Sequence, residues 1–221
     1  MAKAPEPGRV KTRMVPPLDP QQAAGLYAAM LRDVLRNTAR FAEELGFSLQ
    51  LAVYPPEARA SMARSVPTQF SVVPQRGSDL ASRMGWAIRE ALATGARRVL
   101  LRGSDSPALD AERVHQAARA LDSCELAICP DRDGGYNLIG VDREVPGLFK
   151  HPMSTRQVLE DTLANARALG LHSTVLEPCF DLDRAADLRH LAGVRSPELR
   201  ELCGETLAHC DDAGLWRLVD R

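Results

Sequence analysis

Five short stretches carry the side chains that could do chemistry. The chain opens on "MAKAPEPGRVKTRM", where Gly8 sits among Lys3, Arg9, Lys11 and Arg13 and two prolines hold the backbone open. Such a segment can cradle a small anion or stand as a charged end in water. It is not a P-loop, because that pattern sets a glycine directly before the Lys-Ser/Thr pair and Val10 holds that place. In "VLLRGSDSPAL" an apolar run ends on Gly103, Ser104 and Asp105, and Pro107 turns the chain. An acid at the carboxyl end of a strand suits a divalent ion that carries a diphosphate, since magnesium often takes one or two protein carboxylates plus phosphate oxygens and water. An Asx-turn accounts for the same residues. In "FDLDRAADL", Asp181 and Asp183 alternate before a short helix; Asp183 is either an N-cap or a second metal ligand.

"CPDRDGGYNLIG" places Gly134 and Gly135 after Asp133, which admits a ligand close to the backbone or simply makes a hairpin turn. "PQRGSDLASRMGWAI" offers Gln75, Arg76 and Gly77 just after a strand, where a glutamine and main-chain groups can read a nucleotide base, or where a loop merely precedes a helix capped by Asp79. Other chemistries find little support. There is no GxSxG, HExxH or GxGxxG, and the five histidines are scattered without metal-ligand spacing.

The elements that must position these loops follow from periodicity. Asp19-Pro20 caps a helix running to Leu45, with one apolar face, and Gly46 ends it. Strands are expected over 47–54, 69–73, 97–103, 125–130, 136–141 and 172–178. Helices are expected over 57–64, 79–94, 110–121, 183–191 and 196–207, and over 154–170 from a capping box at Ser154–Gln157. Alternating strands and helices predict an α/β fold with a mostly parallel sheet covered on both faces. Ligands of such sheets bind beyond the carboxyl ends of the strands, where the strand order reverses.

The bulk numbers set bounds. With 221 residues, 45% of them hydrophobic, the chain can bury one ordinary core. A net charge of −1 gives no field to gather nucleic acid or an anionic membrane, so the basic opening segment is suited to a small anion. No apolar run approaches a membrane span. Five cysteines without a CxxC pair read as reduced thiols in a cytoplasmic protein.

Taken together, "AKAPEPGRVKTR", "QRGSDLASRM", "GSDSPAL", "DGGYNLIG", "STRQVLEDTL" and "DLDRAADL" resemble, in order, the bacterial DUF2064 family. That family is regarded as glycosyltransferase-like and is associated with radical-SAM and selenium-domain genes or with arsenosugar synthesis. The resemblance runs to about Leu191, and the last thirty or so residues carry no matching motif. It implies the nucleotide-diphospho-sugar transferase fold, a Rossmann-like α/β/α sandwich of GT-A type. It also implies kinship with 2-phospho-lactate and molybdenum-cofactor guanylyltransferases. By resemblance, Lys3, Gly8, Arg9, Lys11 and Arg13 would line the phosphates, and Gln75 and Gly77 would lie near the base. Asp105 and Asp183, with Asp181 close by, would hold Mg2+ or Mn2+. Asp133, Gly134, Gly135, Tyr136 and Thr155 would face the acceptor. Asp105, Asp183 and Lys11 would be catalytic.

The expected partners are a nucleoside triphosphate or NDP-sugar and a small-molecule acceptor. Three activities fit: metal-dependent glycosyl transfer, nucleotidyl transfer with release of pyrophosphate, and nucleotide binding without catalysis. The expected organisation is one GT-A-like domain over 1–195 with a helical extension over 196–221. In the family the first strand enters the "AKAP" segment from upstream apolar residues, so here it would be largely missing. Because each buried unpaired backbone group costs about 1–3 kcal/mol, the natural start is expected upstream of Met1.

Overall fold

A computed structural model describes residues 1–193 and 196–219. The strands are β1 (Ala2–Lys3), β2 (Leu49–Tyr54), β3 (Phe70–Pro74), β4 (Val99–Arg102), β5 (Leu126–Pro130), β6 (Tyr136–Val141) and β7 (Ser173–Val175). The α-helices are α1 (Pro20–Leu45), α2 (Arg59–Met62), α3 (Leu80–Ala93), α4 (Ala111–Ala120), α5 (Val158–Ala168), α6 (Leu188–Gly193), α7 (Pro197–Leu202), α8 (Gly204–Asp212) and α9 (Trp216–Val219).

Two sheets form. One is parallel, in the order β1-β2-β3, and the other is mixed, in the order β4-β6-β5-β7. The expected mostly parallel sheet is therefore interrupted by β6, which runs antiparallel to both β4 and β5. Residues 131–135 are too few for a crossover, so β6 can only return beside β5 as a hairpin. The sheets meet at the chain's first residues: Ala2 pairs with Val53 of β2, and the Met1 amino group donates to the Arg102 carbonyl at 2.7 Å. The crevice beyond β1 and β4 is thus where the strand order reverses, the expected place for a ligand.

Both faces of the mixed sheet are covered. On β5, Ala127 and Cys129 pack with α1, α4 and the C-terminal helices, while Leu126 and Ile128 pack with α3 and α5. Leu100 and Leu101 of β4 divide between the same two cores. This is the period-two signature of a strand buried on both sides. The Rossmann-like α/β/α layering holds.

Helix α1 forms as its sequence predicts. Asp19 and Gln22 make a capping box, proline occupies the first turn, and Gly46 closes it in the left-handed region at φ 66°. Two other helices depart from expectation. The Ser154–Gln157 box does not start α5, which begins at Val158; the main-chain N–H of Leu159 donates to Gly134 O at 2.9 Å, so the 131–135 hairpin takes over the first turn. The helix expected over 196–207 is split into α7 and α8 at Cys203. Buried Asp33 of α1 accepts from Glu205 N at 3.1 Å, Thr206 N at 2.8 Å and Thr206 Oγ1 at 2.7 Å, which caps a new helix.

The C-terminal helices share the α1–α4 core through Leu199, Leu202, Cys203, Cys210 and Leu215. The boundary expected at 195/196 falls on Arg195, outside the described residues, as do the last two residues of the expected extension. No helix among the described residues is long and apolar enough to cross a membrane. The five cysteines are free and buried. Burial pushes the Cys129 and Cys210 thiols up to about 12 and Cys179 up to about 11.

Two outcomes follow from this packing. Asp33→Ala strands the Thr206 donors and removes the carboxylate 2.8 Å from the Arg36 guanidinium, which keeps its bonds to the Glu201 and Leu202 carbonyls. It should cost about 2–4 kcal/mol and lower the melting temperature by about 5–15 °C in a thermal melt; a melting point unchanged within a degree would show that the cap is dispensable. The thiols should resist a disulfide reagent at pH 8 in the native protein and react together on unfolding in guanidinium, because the thiolate is the reactive form.

Candidate functional site

The opening segment is built to deliver one lysine. Beyond β1 the chain turns through Gly8, and Val10 is buried in the core under the parallel sheet. A 3-10 turn (Thr12–Met14) then anchors Met14 in the α1–α4 core. Lys11 lies between these two anchors with φ 47° and ψ 36°, the one non-glycine residue with positive φ among the described residues. A left-handed lysine costs free energy that the surrounding packing must offset.

The side chain that results is 3% exposed, and its Nζ lies 2.5 Å from Asp105 Oδ1 and 3.0 Å from Asp183 Oδ1. Arg13 reaches the second oxygen of Asp183 at 3.4 Å. Burial opposes the ammonium's charge, but Asp105 and then Asp183 outweigh it and hold Lys11 above the usual lysine range. Burial alone would likewise raise Asp183. Lys11 first, then Arg13 and Arg184, hold it below the usual carboxylate range.

Two loops carry these carboxylates, and both are fixed from behind. Asp105 follows β4. There Ser104 Oγ bonds the Tyr27 hydroxyl at 2.8 Å, and that hydroxyl also accepts the Lys3 N–H at 2.9 Å. Buried Arg102 donates to Thr38 Oγ1 of α1 and to the Ser106 carbonyl, each at 2.9 Å. The two acidic loops are joined directly, since Leu182 N donates to Asp105 O at 2.9 Å. Asp183 is not the cap of the following turn. Asp187 accepts from the N–H groups of Asp183 and Arg184 at 2.8 and 2.6 Å, which leaves the Asp183 carboxylate free to face Lys11.

Asp181 does different work. Its Oδ1 accepts from Ser106 Oγ and from Asn137 Nδ2, the latter at 3.1 Å. Burial pushes its carboxyl up to about 6, against these two hydrogen bonds. It clamps the Asp105 loop to β6.

These groups line a cleft of about 710 Å³. Lys3, Lys11, Arg13, Gln75, Asp105, Asp133, Gly135, Tyr136, Thr155, Asp181 and Asp183 all line it. Gly8, Arg9, Gly77 and Gly134 do not. Arg9 turns outward and pairs with Glu6 at 3.1 Å. Gly134 is a support: with φ 92° its position leaves no room for a side chain, because a Cβ there would stand 2.0 Å from Arg156 O. That close approach holds the hairpin against the turn that brings Thr155 and Arg156 to the cleft. Gln75 is less free than its exposed-loop context suggested. Both N–H groups of its buried amide donate, to Ala2 O and Ala52 O at 3.0 Å each.

Sequence reasoning missed several lining residues. Tyr27 passes for one more core position on α1. Asn137, 2% exposed, has an amide oxygen without a partner among the described residues, and a lone polar residue inside the apolar run "YNLIGV" was the available signal. Asp131 accepts from Asp133 N and Gly135 N at 2.8 Å each and shapes the hairpin tip. Arg83 lies over the Tyr54 ring, 4.5 Å from its centroid, and both line the cleft.

The donor set favours a hard cation. Carboxylate and amide oxygens from separate loops suit magnesium or manganese, and the two carboxylates already share one positive charge. Among the described residues no cluster of three His, Cys, Asp or Glu side chains is placed to hold a metal by itself. Ligand oxygens would have to complete such a site.

Comparison with known proteins agrees with this architecture. No curated protein matches the chain. A crystal structure from Desulfovibrio desulfuricans G20, of a protein provisionally named a nucleotide-diphospho-sugar transferase, superposes with a TM-score of 0.86 at 31% identity, covering 99% of this chain and 95% of that one. Residues 37–155 match a family described as uncharacterised protein conserved in bacteria, DUF2064. With the family match spanning more than half its length, and a structural relative along nearly all of it, the chain belongs to the DUF2064 family.

Proposed function

We propose that this protein is a metal-dependent transferase that takes a nucleotide-diphospho-sugar as donor and passes the sugar to a small acceptor. The observation that carries this reading is the pair Asp105 and Asp183, on different loops, sharing one buried cation at 2.5 and 3.0 Å at the point where the strand order reverses. The similarity to a protein named for this donor class supports it.

In this reading Asp105 and Asp183 would hold Mg2+ or Mn2+, with Asp181 fixing the Asp105 loop from behind. A divalent ion there would supply positive charge against the negative charge that grows on the diphosphate as the bond to sugar breaks. Lys11 and Arg13, with Arg184 lining the same cleft, bind phosphate oxygens. Lys3 and Gln75 lie toward the base, where the Arg83–Tyr54 pair offers a flat surface. Tyr136, Thr155 and Asp133 line the acceptor side, and Asp133 takes the proton of the attacking hydroxyl. The acceptor oxygen bonds to the anomeric carbon while the carbon–oxygen bond to phosphate breaks, and the nucleoside diphosphate leaves with the electron pair.

Nucleotidyl transfer is the second reading. It draws on the number of basic residues in "GRVKTR", which would suit a triphosphate. The outward turn of Arg9 reduces that number at the cleft and leaves glycosyl transfer ahead.

A thermal-shift screen of nucleotides and NDP-sugars, with and without Mg2+, tests the reading. A ligand at about a hundred times its dissociation constant should stabilise by about 2.7 kcal/mol, roughly 5–10 °C for a chain of this size. The shift should need the metal and vanish in Asp105→Asn. Binding that ignores EDTA and survives Asp105→Ala would point instead to a nucleotide-binding domain without catalysis. Once a donor is found, Asp105→Asn and Asp183→Asn should each lower turnover by about 10²-fold or more. Chromatography of the products then separates the two transfers: nucleoside diphosphate is expected, and pyrophosphate released in step with acceptor turnover would overturn glycosyl transfer.

A further inference from the structure

Lys11 stands where a divalent ion held by Asp105 and Asp183 would have to bind. Its Nζ contacts one oxygen of each carboxylate, and its side chain is 3% exposed. Two features mark this as a built arrangement. The backbone at Lys11 is held left-handed, a conformation that lysine rarely adopts, between Val10 and Met14, which are fixed in two different cores. And Asn137, 2% exposed and lining the same cleft, keeps an amide oxygen with no donor among the described residues. Arg13 approaches Asp183 from the open side with its side chain 57% exposed, so it is free to follow a phosphate.

We propose that Lys11 is the resident cation of this site and that it exchanges places with the divalent ion. Without a ligand its ammonium balances the two carboxylates. A diphosphate entering the cleft offers the ammonium a second set of anionic oxygens, and the flexible lysine stem can reach them without movement of the anchored backbone. The vacated carboxylates then take the metal ion. Metal and nucleotide are thereby coupled: each raises the other's affinity by the same factor, as linkage requires. Lys11 is a positioning residue for the metal and a direct ligand of phosphate. This inference rests on the proposed donor-binding reading and adds a binding order to it.

The test is Mn2+ binding followed by electron paramagnetic resonance of the free ion, on the full chain, with and without UDP or GDP as probes. Wild type without nucleotide should bind Mn2+ weakly. Lys11→Met should bind it at least tenfold more tightly. A nucleotide should raise the wild-type affinity at least tenfold more than it raises that of Lys11→Met, where phosphate oxygens still complete the metal's coordination but no ammonium has to leave. Without metal, Lys11→Met should bind the nucleotide more weakly than wild type. If Lys11→Met does not fold, Lys11→Gly serves, because the left-handed backbone suits glycine.

Equal Mn2+ affinity for folded variant and wild type, with nucleotide-loaded wild type still taking up the ion, would overturn the exchange and leave the transferase reading standing. Failure of every form to bind Mn2+ at millimolar concentration, loaded or not, would remove both.

Discussion

One buried ammonium between two carboxylates organises this molecule. A charged lysine taken out of water is tolerated only when anions replace its hydration, and here Asp105 and Asp183 do so from loops 78 positions apart. The reverse is equally true. Two carboxylates brought to one place repel unless a cation lies between them. The arrangement is therefore costly to any member left alone, and such arrangements of buried charge cluster at functional sites.

The rest of the fold can be understood as scaffolding for that contact, and α1 is its spine. Although α1 is mostly apolar where it is buried, its polar residues face inward at chosen points. Tyr27 fixes both the Asp105 loop and the opening segment, and Thr38 receives the guanidinium behind that loop. Asn37 bonds the Leu202 carbonyl at 2.7 Å, and Asp33 caps α8. A single helix thus ties the site to the C-terminal layer. A rigid element that carries its own second layer of hydrogen bonds is what a preorganised site requires.

Much of this was legible in the sequence, and what was not has physical reasons. The layer pattern, the limits of α1 and the acidic loops at Asp105 and Asp183 are local signals: an apolar run, a cap, acids in the loop that follows a strand. The partnership of Lys11 with Asp183 spans 172 positions, and no local rule records it. Tyr27 and Asn137 read as core because their neighbours do. The misplaced start of α5 and the unseen break at Cys203 share one cause: a tertiary acceptor, Gly134 O in one case and the Asp33 carboxylate in the other, captured N–H groups that local propensity assigned elsewhere. Asp183 as an N-cap failed the same way, displaced by Asp187 four residues on.

The most direct test is a crystal structure of the protein with Mn2+ and a nucleoside diphosphate, with anomalous scattering used to locate the metal. We expect the manganese signal between Asp105 and Asp183, with the Lys11 ammonium moved onto a phosphate oxygen. Manganese bound elsewhere, or Lys11 still seated between the two carboxylates with nucleotide present, would contradict the account.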